Sequence, residues 1–467
     1  MSGGAPPGVS LPEGVVQFLP EYLGRQRWFK GDVAPRPDSV TVVDVDHLAS
    51  TAGGAHRLLW VIVAVAGAGS DGADGGGEEA RYQLLIGERP NGEIADFLNG
   101  HESGVLGSAG DRYYYDATLD PELSLAWLSF VTSEELLAER VRPVQAEQSN
   151  TSLVYDNKLI AKVFRRLHEG RNPDVEVTEA LTNVGFEHVA QPVAVWQRDG
   201  TDLAFVQQFL AGGTEGWALA LASLRNLYSV RAEDPGDAGG DFAHEAARLG
   251  QVTAEMHLAM AEAFGVDRQQ FRNRGWPAVL DEVDDQLRAV AGASGSGQEL
   301  IERLRAVDDP GPAIRVHGDY HLGQVMRTDG GWYVLDFEGE PARAKAERLV
   351  FTSPFKDVTG MVRSLHYASH FVLLEQEAHE QEQLAPLAER WERRNRDAFL
   401  DGYFGTDGIA VLLPERPEVR DEVSLAFELQ KALYELSYER AYRPGWIPIP
   451  TAAIQRMLAG SYSGLEG

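Results

Sequence analysis

Apolar periodicity along these 467 residues changes character once, and that change restricts the chain to a mixed architecture. Up to about residue 210 the pattern is mostly strand-like. SVTVVDVDHL (39–48), RLLWVIVAV (57–65), RYQLLIGE (81–88), SNTSLVYDN (149–157), KLIAKVF (158–164), VAVWQRD (193–199) and LAFVQQFL (203–210) alternate or run apolar and are rich in β-branched residues. After GGTEGW (212–217) the spacing becomes helical, as in FAHEAARLGQVTAEMHLAMAEAF (242–264) and EVSLAFELQKALYELSYERAY (422–442). Helices are also expected over 12–29 and over VEVTEALTNVG, 175–185. The fold class that follows is α+β. A β-rich N-terminal cap is expected at 1–90, an intermediate segment and small β lobe at 91–210, and a large, mostly α-helical C-terminal lobe at 211–467.

Composition removes several functions. With 42 Lys and Arg against 71 Asp and Glu the net charge is -29, which repels polyanions, so no nucleic acid partner is expected. There is no cysteine, which excludes disulfides and thiolate metal sites. The longest apolar run, LLWVIVAVAGA at 58–68, is shorter than the ~20 residues a membrane helix needs. MSGGAPPGVSLPEG at the amino terminus has neither a basic nor an apolar signal region, so a cytoplasmic protein without membrane contact is expected. GAGSDGADGGGEEA (67–80) opens like a dinucleotide fingerprint but leads into a strand rather than a helix, and is read as an acidic hairpin loop.

Chemistry concentrates in VHGDYHLGQVMRTDGGWYVLDFEG, 316–339. No G-x-x-x-x-G-K-[ST] occurs, so phosphate chemistry would need a scaffold other than a P-loop. Protein-kinase-type phosphotransfer places a base Asp, a Mg²⁺-ligating side chain five residues later and a second ligating Asp after a hairpin. Asp319, Gln324 and Asp336 have that spacing, with Gln where Asn is usual. Gly318 frees the turn that carries Asp319, and the hairpin with DGG at its tip returns Asp336 toward Gln324. Their oxygen donors suit Mg²⁺. His317 and His321 are four apart but on a glycine-containing loop without a partner glutamate, so zinc is rejected; His366 and His370 read as helix-face residues.

In the small lobe, Lys162 lies within an apolar strand, which is costly unless its ammonium meets phosphate and carboxylate. Glu176 at the start of the following helix is the candidate partner, against the simpler possibility of an edge-strand lysine facing solvent. Ser149, Asn150, Thr151 and Ser152 stand where a phosphate-covering flap would lie, and Gln208 in VQQFL stands where a hinge would meet adenine. On the helix at 429–442, Leu429, Leu433 and Leu436 form a core stripe, while Lys431, Tyr434 and Tyr438 form a second, polar-aromatic one. That second face suits either solvent or stacking on a pyranose ring.

Taken together, LGRQRWF (23–29), AEQSNTS (146–152), KVFRR (162–166), NPDVE (172–176), HGDYHLGQV (317–325), DFEGEP (336–341), SPFKDVTGMVRS (353–364) and RPGWIPIP (443–450) resemble the actinobacterial maltokinases. These are relatives of the aminoglycoside phosphotransferases within the protein-kinase-like superfamily. The resemblance spans nearly the whole chain. It implies a bilobal kinase-like fold with an N-terminal cap and transfer of the γ-phosphoryl group of ATP to the anomeric hydroxyl of maltose. The product would be maltose 1-phosphate for α-glucan, glycogen-type synthesis. It further implies ATP and Mg²⁺ as cofactors, Asp319 as base, Gln324 and Asp336 as metal ligands, Lys162 and Glu176 as the phosphate-positioning pair, and Lys431, Tyr434 and Tyr438 as sugar contacts. His321 and Glu338 flank the base and are expected at the acceptor. A trehalose- and maltose-interconverting enzyme is a possible partner. Phe355 and Lys356 depart from the family's usual Leu and Arg close to DFEGEP, where they can alter the acceptor pocket. A related sugar kinase, such as one acting on glucosamine, or a non-catalytic kinase-like binding protein are the alternatives.

Overall fold

The computed structural model describes residues 10–29, 34–51, 53–67, 79–93, 96–133, 136–144, 149–291, 295–340 and 345–460. The expected acidic loop at 67–80 therefore falls largely outside the described residues, as do residues 1–9 and the first part of AEQSNTS. The chain divides into two compact units, Met1–Glu176 with Ala190–Ala211, and Val177–Val189 with Gly212–Gly467.

The N-terminal unit opens with two short helices, α1 (Glu13–Val16) and α2 (Leu19–Gly24), instead of the single helix expected over 12–29. Pro20 is the reason. It has no N–H for the Val16 carbonyl, so the helix stops and restarts with the proline in its first turn, where no donor is needed. Strands β1 (Val40–Ser50), β2 (Arg57–Val65), β3 (Ala80–Pro90), β4 (Val105–Ala109) and β5 (Arg112–Asp116) form an antiparallel sheet in the order β1-β2-β3-β5-β4. Helix α3 (Pro121–Val131) follows, N-capped by the Asp120 carboxylate. A second antiparallel sheet contains β6 (Val141–Val144), β7 (Asn150–Tyr155), β8 (Leu159–Phe164), β10 (Pro192–Arg198) and β11 (Thr201–Gln208) in the order β10-β11-β8-β7-β6, while β9 (Arg166–Leu167) pairs with β3.

Alternation along β2 and β3 divides their side chains between two cores. Leu59, Val61, Val63, Leu84 and Ile86 pack with α1 and α2. Leu58, Trp60 and Leu85 share a core with Trp127 of α3 and with Leu153, Ala161, Val163 and Val206 of the second sheet. Cap and small lobe are thus one packed body. Trp28 of LGRQRWF lies under the Arg165 guanidinium of KVFRR, 5.1 Å from ring centroid to Cζ. Arg165 in turn donates to Asp116 at 2.7 Å and to the Thr151 hydroxyl at 2.8 Å.

The C-terminal unit takes in most of α4 (Pro173–Asn183), then β12 (Thr214–Glu215), α5 (Gly216–Val230), α6 (Ala243–Phe264), α7 (Trp276–Ala291) and α8 (Gly295–Arg305). The hairpin β13 (Val325–Thr328) and β14 (Gly331–Val334) joins β12 in a three-stranded sheet. Helices α9 (Lys345–Arg348), α10 (Phe355–Leu374), α11 (Ala378–Phe404), α12 (Pro417–Tyr442) and α13 (Pro448–Leu458) complete it. Its single large core includes Trp332, Trp391, Phe355 and Phe399 together with Leu429, Leu433 and Leu436, the stripe anticipated on α12. Each fully buried side chain of this size stabilises the unit by about 1.5–3 kcal/mol, so α12 is held firmly enough to aim its other face. Among the described residues no helix is long and apolar enough to cross a membrane.

Candidate active site

The loop between the core strand segment at Ile314 and the β13–β14 hairpin is shaped by a residue outside the motif. Asp357, in the first turn of α10, is fully buried and accepts from the backbone N–H of His317 at 2.8 Å and of Gly318 at 2.9 Å. His257 of α6 approaches the same carboxylate at 3.2 Å. Burial alone would raise the Asp357 pKa, but the hydrogen bond and charge of His257, then His317 and the Gly318 amide, hold it below the ordinary carboxylate range. Gly318 adopts a φ of 89°, open to glycine and strained for other residues. Two further contacts tie the loop to α10. Leu322 N donates to Ser364 Oγ at 3.1 Å, and Gly360 lets the Tyr320 carbonyl approach so closely that a Cβ there would lie 2.6 Å from its oxygen.

His317 is structural. Its Nε2 lies 2.9 Å from the Leu335 carbonyl, which makes that nitrogen the donor and leaves Nδ1 to accept from Asp319 N at 3.4 Å. The turn presents Asp319 with its side chain one-fifth exposed. Lys431 Nζ of α12 lies 3.2 Å from Asp319 Oδ1 and 3.2 Å from Glu340 Oε1. Burial works against the Lys431 charge, but Asp319, Glu340 and Glu435 more than offset it and raise the ammonium above its ordinary value. Asp319 Oδ2 faces His321 Nε2 at 3.9 Å, too far for a hydrogen bond, while His321 Nδ1 accepts from Gly323 N at 3.0 Å. Burial pushes the His321 pKa down, so this imidazole is neutral near pH 7.

The hairpin closes as the spacing predicts. Leu335 N donates to the Gln324 carbonyl at 2.9 Å, and Gln324 Nε2 lies 3.3 Å from Asp336 Oδ2. Asp336 has a φ of 62°, a left-handed conformation that aims its carboxylate back toward Gln324. One carboxylate oxygen each of Asp336 and Glu338 come within 4.8 Å of one another. A carboxylate pair and a neighbouring amide offer hard oxygen donors, so the donor set fits Mg²⁺.

Two pockets open beside Asp319 within the C-terminal unit. Both are lined by Gly318, Glu340, Lys356, Phe427 and Gln430; the smaller adds Lys431 and Tyr434, and the larger, ≈ 240 Å³, adds Phe271. Lys431 Nζ lies 5.1 Å from the Tyr434 ring centroid, and Tyr434 stacks at 6.5 Å on Tyr438, which is 41% exposed. Lys356 Nζ lies 3.8 Å from Glu340 Oε2, so the residue that departs from the family pattern lines the pocket. Trp217 and Trp446 both lie against Phe371.

In the N-terminal unit β8 is an inner strand, which removes the edge-strand reading of Lys162. Its Nζ lies 3.3 Å from Asp174 Oδ2, a carboxylate that sequence reasoning passed over in favour of Glu176 two residues on. Asn150, Thr151 and Ser152 lie within β7 rather than in a flap ahead of it. Ser152 is fully buried, the Thr151 hydroxyl is taken up by Arg165, and Asn150 Nδ2 donates to the Ser149 hydroxyl at 3.2 Å. Gln208 is exposed at the end of β11, its N–H bonded to the Gln191 carbonyl at 2.9 Å. Glu340 and Asp357 were missed as well. Both lie inside quoted motifs, DFEGEP and SPFKDVTGMVRS, but nothing local marks which acid does what.

Residues 140–421 match the phosphotransferase enzyme family, and residues 22–120 match the maltokinase N-terminal cap domain. A glucosamine kinase of Mycolicibacterium smegmatis is 29% identical over 354 residues, covering 72% of this chain and 82% of that protein. One from Streptacidiphilus jiangxiensis is 26% identical, covering 72% and 77%. A solved glucosamine kinase in complex with glucosamine, ADP and inorganic phosphate superimposes with a TM-score of 0.64 at 20% identity, over 96% of this chain and 100% of that one. That likeness shows a kinase-like phosphotransferase fold, sheet-rich in its N-terminal region and helical in its C-terminal part.

Proposed function

We propose, because this chain belongs to the phosphotransferase enzyme family, that it is an ATP-dependent sugar kinase that phosphorylates the anomeric hydroxyl of maltose. The observation that carries the choice of sugar is the maltokinase cap at 22–120, joined to a phosphotransferase domain. In this reading Asp319 Oδ2 accepts the proton of the attacking hydroxyl while its oxygen bonds to the γ-phosphorus and ADP departs. Lys431 holds Oδ1, which fixes the carboxylate rotamer so that only one oxygen is presented. Gln324 and Asp336, with Glu338 in reach, would hold Mg²⁺, which supplies charge neutralisation on the phosphates when bound. Lys162, steadied by Asp174, would meet the nucleotide phosphates, with Glu176, two residues after Asp174, as a further candidate, and Gln208 would lie at the adenine. Tyr434 and Tyr438 offer ring faces to the sugar, with His321 at its edge. The product, maltose 1-phosphate, would serve α-glucan synthesis.

The relatives named glucosamine kinases favour a second reading with glucosamine as acceptor. Its ammonium would require a carboxylate not already compensated. Glu340, the buried acid of the pocket, is shared between Lys431 at 3.2 Å and Lys356 at 3.8 Å, which favours a neutral sugar. Incubation of the enzyme and Mg-ATP with maltose, glucose and glucosamine, followed by phosphorus NMR of the products, decides between them. Maltose 1-phosphate is expected; phosphorylation of glucosamine alone would overturn the maltose assignment while keeping the kinase.

A further inference from the structure

We infer that α10 and α11 together form a binding site for a divalent transition cation of the zinc type, with His366, His370 and Glu392 as its protein ligands. The two histidines are four residues apart on α10, so their rings share one face, with centroids 4.2 Å apart. Glu392 of α11 faces them. One donor atom of each of the three residues lies within 4.8 Å of the others. This cluster plays no part in the phosphotransfer site described above.

The independent observation is the state of His366. It is 2% exposed, and among the described residues neither of its ring nitrogens has a hydrogen-bond partner. Its Nδ1 lies 2.9 Å from Glu392 Oε1, but off the axis a hydrogen bond requires. An imidazole buried with both nitrogens unsatisfied is costly, and a cation between it and the carboxylate removes the mismatch. His370 is oriented for the same task. Its Nδ1 lies 3.0 Å from the His366 carbonyl, so the N–H points there and Nε2 is left to coordinate, the usual outer support of a metal-bound histidine. Two neutral imidazoles and one carboxylate suit zinc with an open fourth position, and the Glu392 side chain, 18% exposed, leaves a path for entry. Arg363 and Arg456 add positive potential nearby, with Arg363 engaged to Glu435 at 2.6 Å. Selectivity against Mg²⁺ comes instead from the two imidazole nitrogens, since Mg²⁺ prefers an all-oxygen shell.

The test uses the full, untagged chain, stripped with a chelator and kept in excess Mg²⁺ to fill hard-oxygen sites. Zn²⁺ is titrated against a chromophoric competitor for wild type, His370→Ala, Glu392→Gln and, as a control, Asp336→Asn. One equivalent that Mg²⁺ does not displace is expected in wild type and in Asp336→Asn, with at least about tenfold weaker binding in the other two variants. Circular dichroism reports their fold, and the nearly isosteric Glu392→Gln carries the test if His370→Ala does not fold. Zinc-edge anomalous diffraction adds a second readout, with a peak expected among the three side chains. Absence of a tight equivalent in wild type, unchanged affinity in Glu392→Gln, or an anomalous peak only at Asp336 and Glu338 would overturn the proposal.

Discussion

Asp357→Asn tests whether α10 sets the geometry of the catalytic turn. The carboxylate is inaccessible to solvent and receives three donors, His317 N, Gly318 N and His257 Nε2. Asparagine keeps the shape but has one acceptor oxygen; its amide nitrogen must face a donor whichever way it turns. With the oxygen on the side of His317 and His257, the Gly318 N–H loses its partner. A hydrogen bond to a buried charged acceptor is worth about 1.5–3 kcal/mol, so a loss of ~2–3 kcal/mol is expected. At roughly 2–4 °C per kcal/mol for a unit of this size, the C-terminal unit should melt ~4–12 °C lower. Gly318 precedes Asp319, and a displacement of about 1 Å at a base costs about 10² in rate, so kcat should fall by that order. Thermal melts by circular dichroism and steady-state kinetics with Mg-ATP and maltose measure both. The pH dependence has a definite sign. The folded-state pKa of Asp357 lies below its ordinary 3.8, so its contribution is present above that value and is lost as pH falls through the depressed one. The difference in melting temperature between wild type and Asp357→Asn should therefore narrow in acid below about pH 4. A variant with wild-type melting temperature and wild-type kcat at pH 7 would refute the positioning role.

Asp319→Asn should lower kcat by about 10²–10⁴ while nucleotide binding, followed by calorimetry, is largely kept; a turnover near wild type would remove Asp319 from the base role. Lys431→Ala should raise the maltose KM about tenfold and more than the ATP KM, since it frees Tyr434 and leaves Glu340 with less compensation. An unchanged maltose KM would count against the sugar pocket. Gly360→Ala should destabilise by about 1–3 kcal/mol in denaturant titrations and lower kcat with it, because the added methyl displaces the Tyr320 carbonyl. Equal stability would mean that the loop and helix separate at no cost.

The loop and hairpin were legible because their signal is local. The intervals from Asp319 to Gln324 and Asp336, with Gly318 and the DGG tip between, specify a turn and a short excursion, and the Gln324–Asp336 contact follows from them. The strands of the small lobe were equally clear, which is why Lys162 could be singled out. Its contact with Asp174 was not legible. Asp174 lies two residues before Glu176, within one helical turn, and its reach to Lys162 is a packing result with no sequence marker. SNTSLVYDN was legible as a strand, and the pairing of β7 with β8 takes Thr151 and Ser152 into that strand. The long helix expected at 12–29 failed for a plain covalent reason, Pro20.

By itself the sequence determined where period-2 and period-3.6 segments lie, which acids share one short loop, and the absence of thiol chemistry, since each is a property of neighbours along the chain. Tertiary packing decided which groups become partners. Lys431 is 112 residues from Asp319, Asp357 is 40 from the His317 amide it accepts, and Glu392 belongs to a different helix from His366. Burial then changes the chemistry of those groups. A lysine among three acids, an aspartate within a set of amides and a histidine with unmatched nitrogens acquire their character only when water is excluded around them.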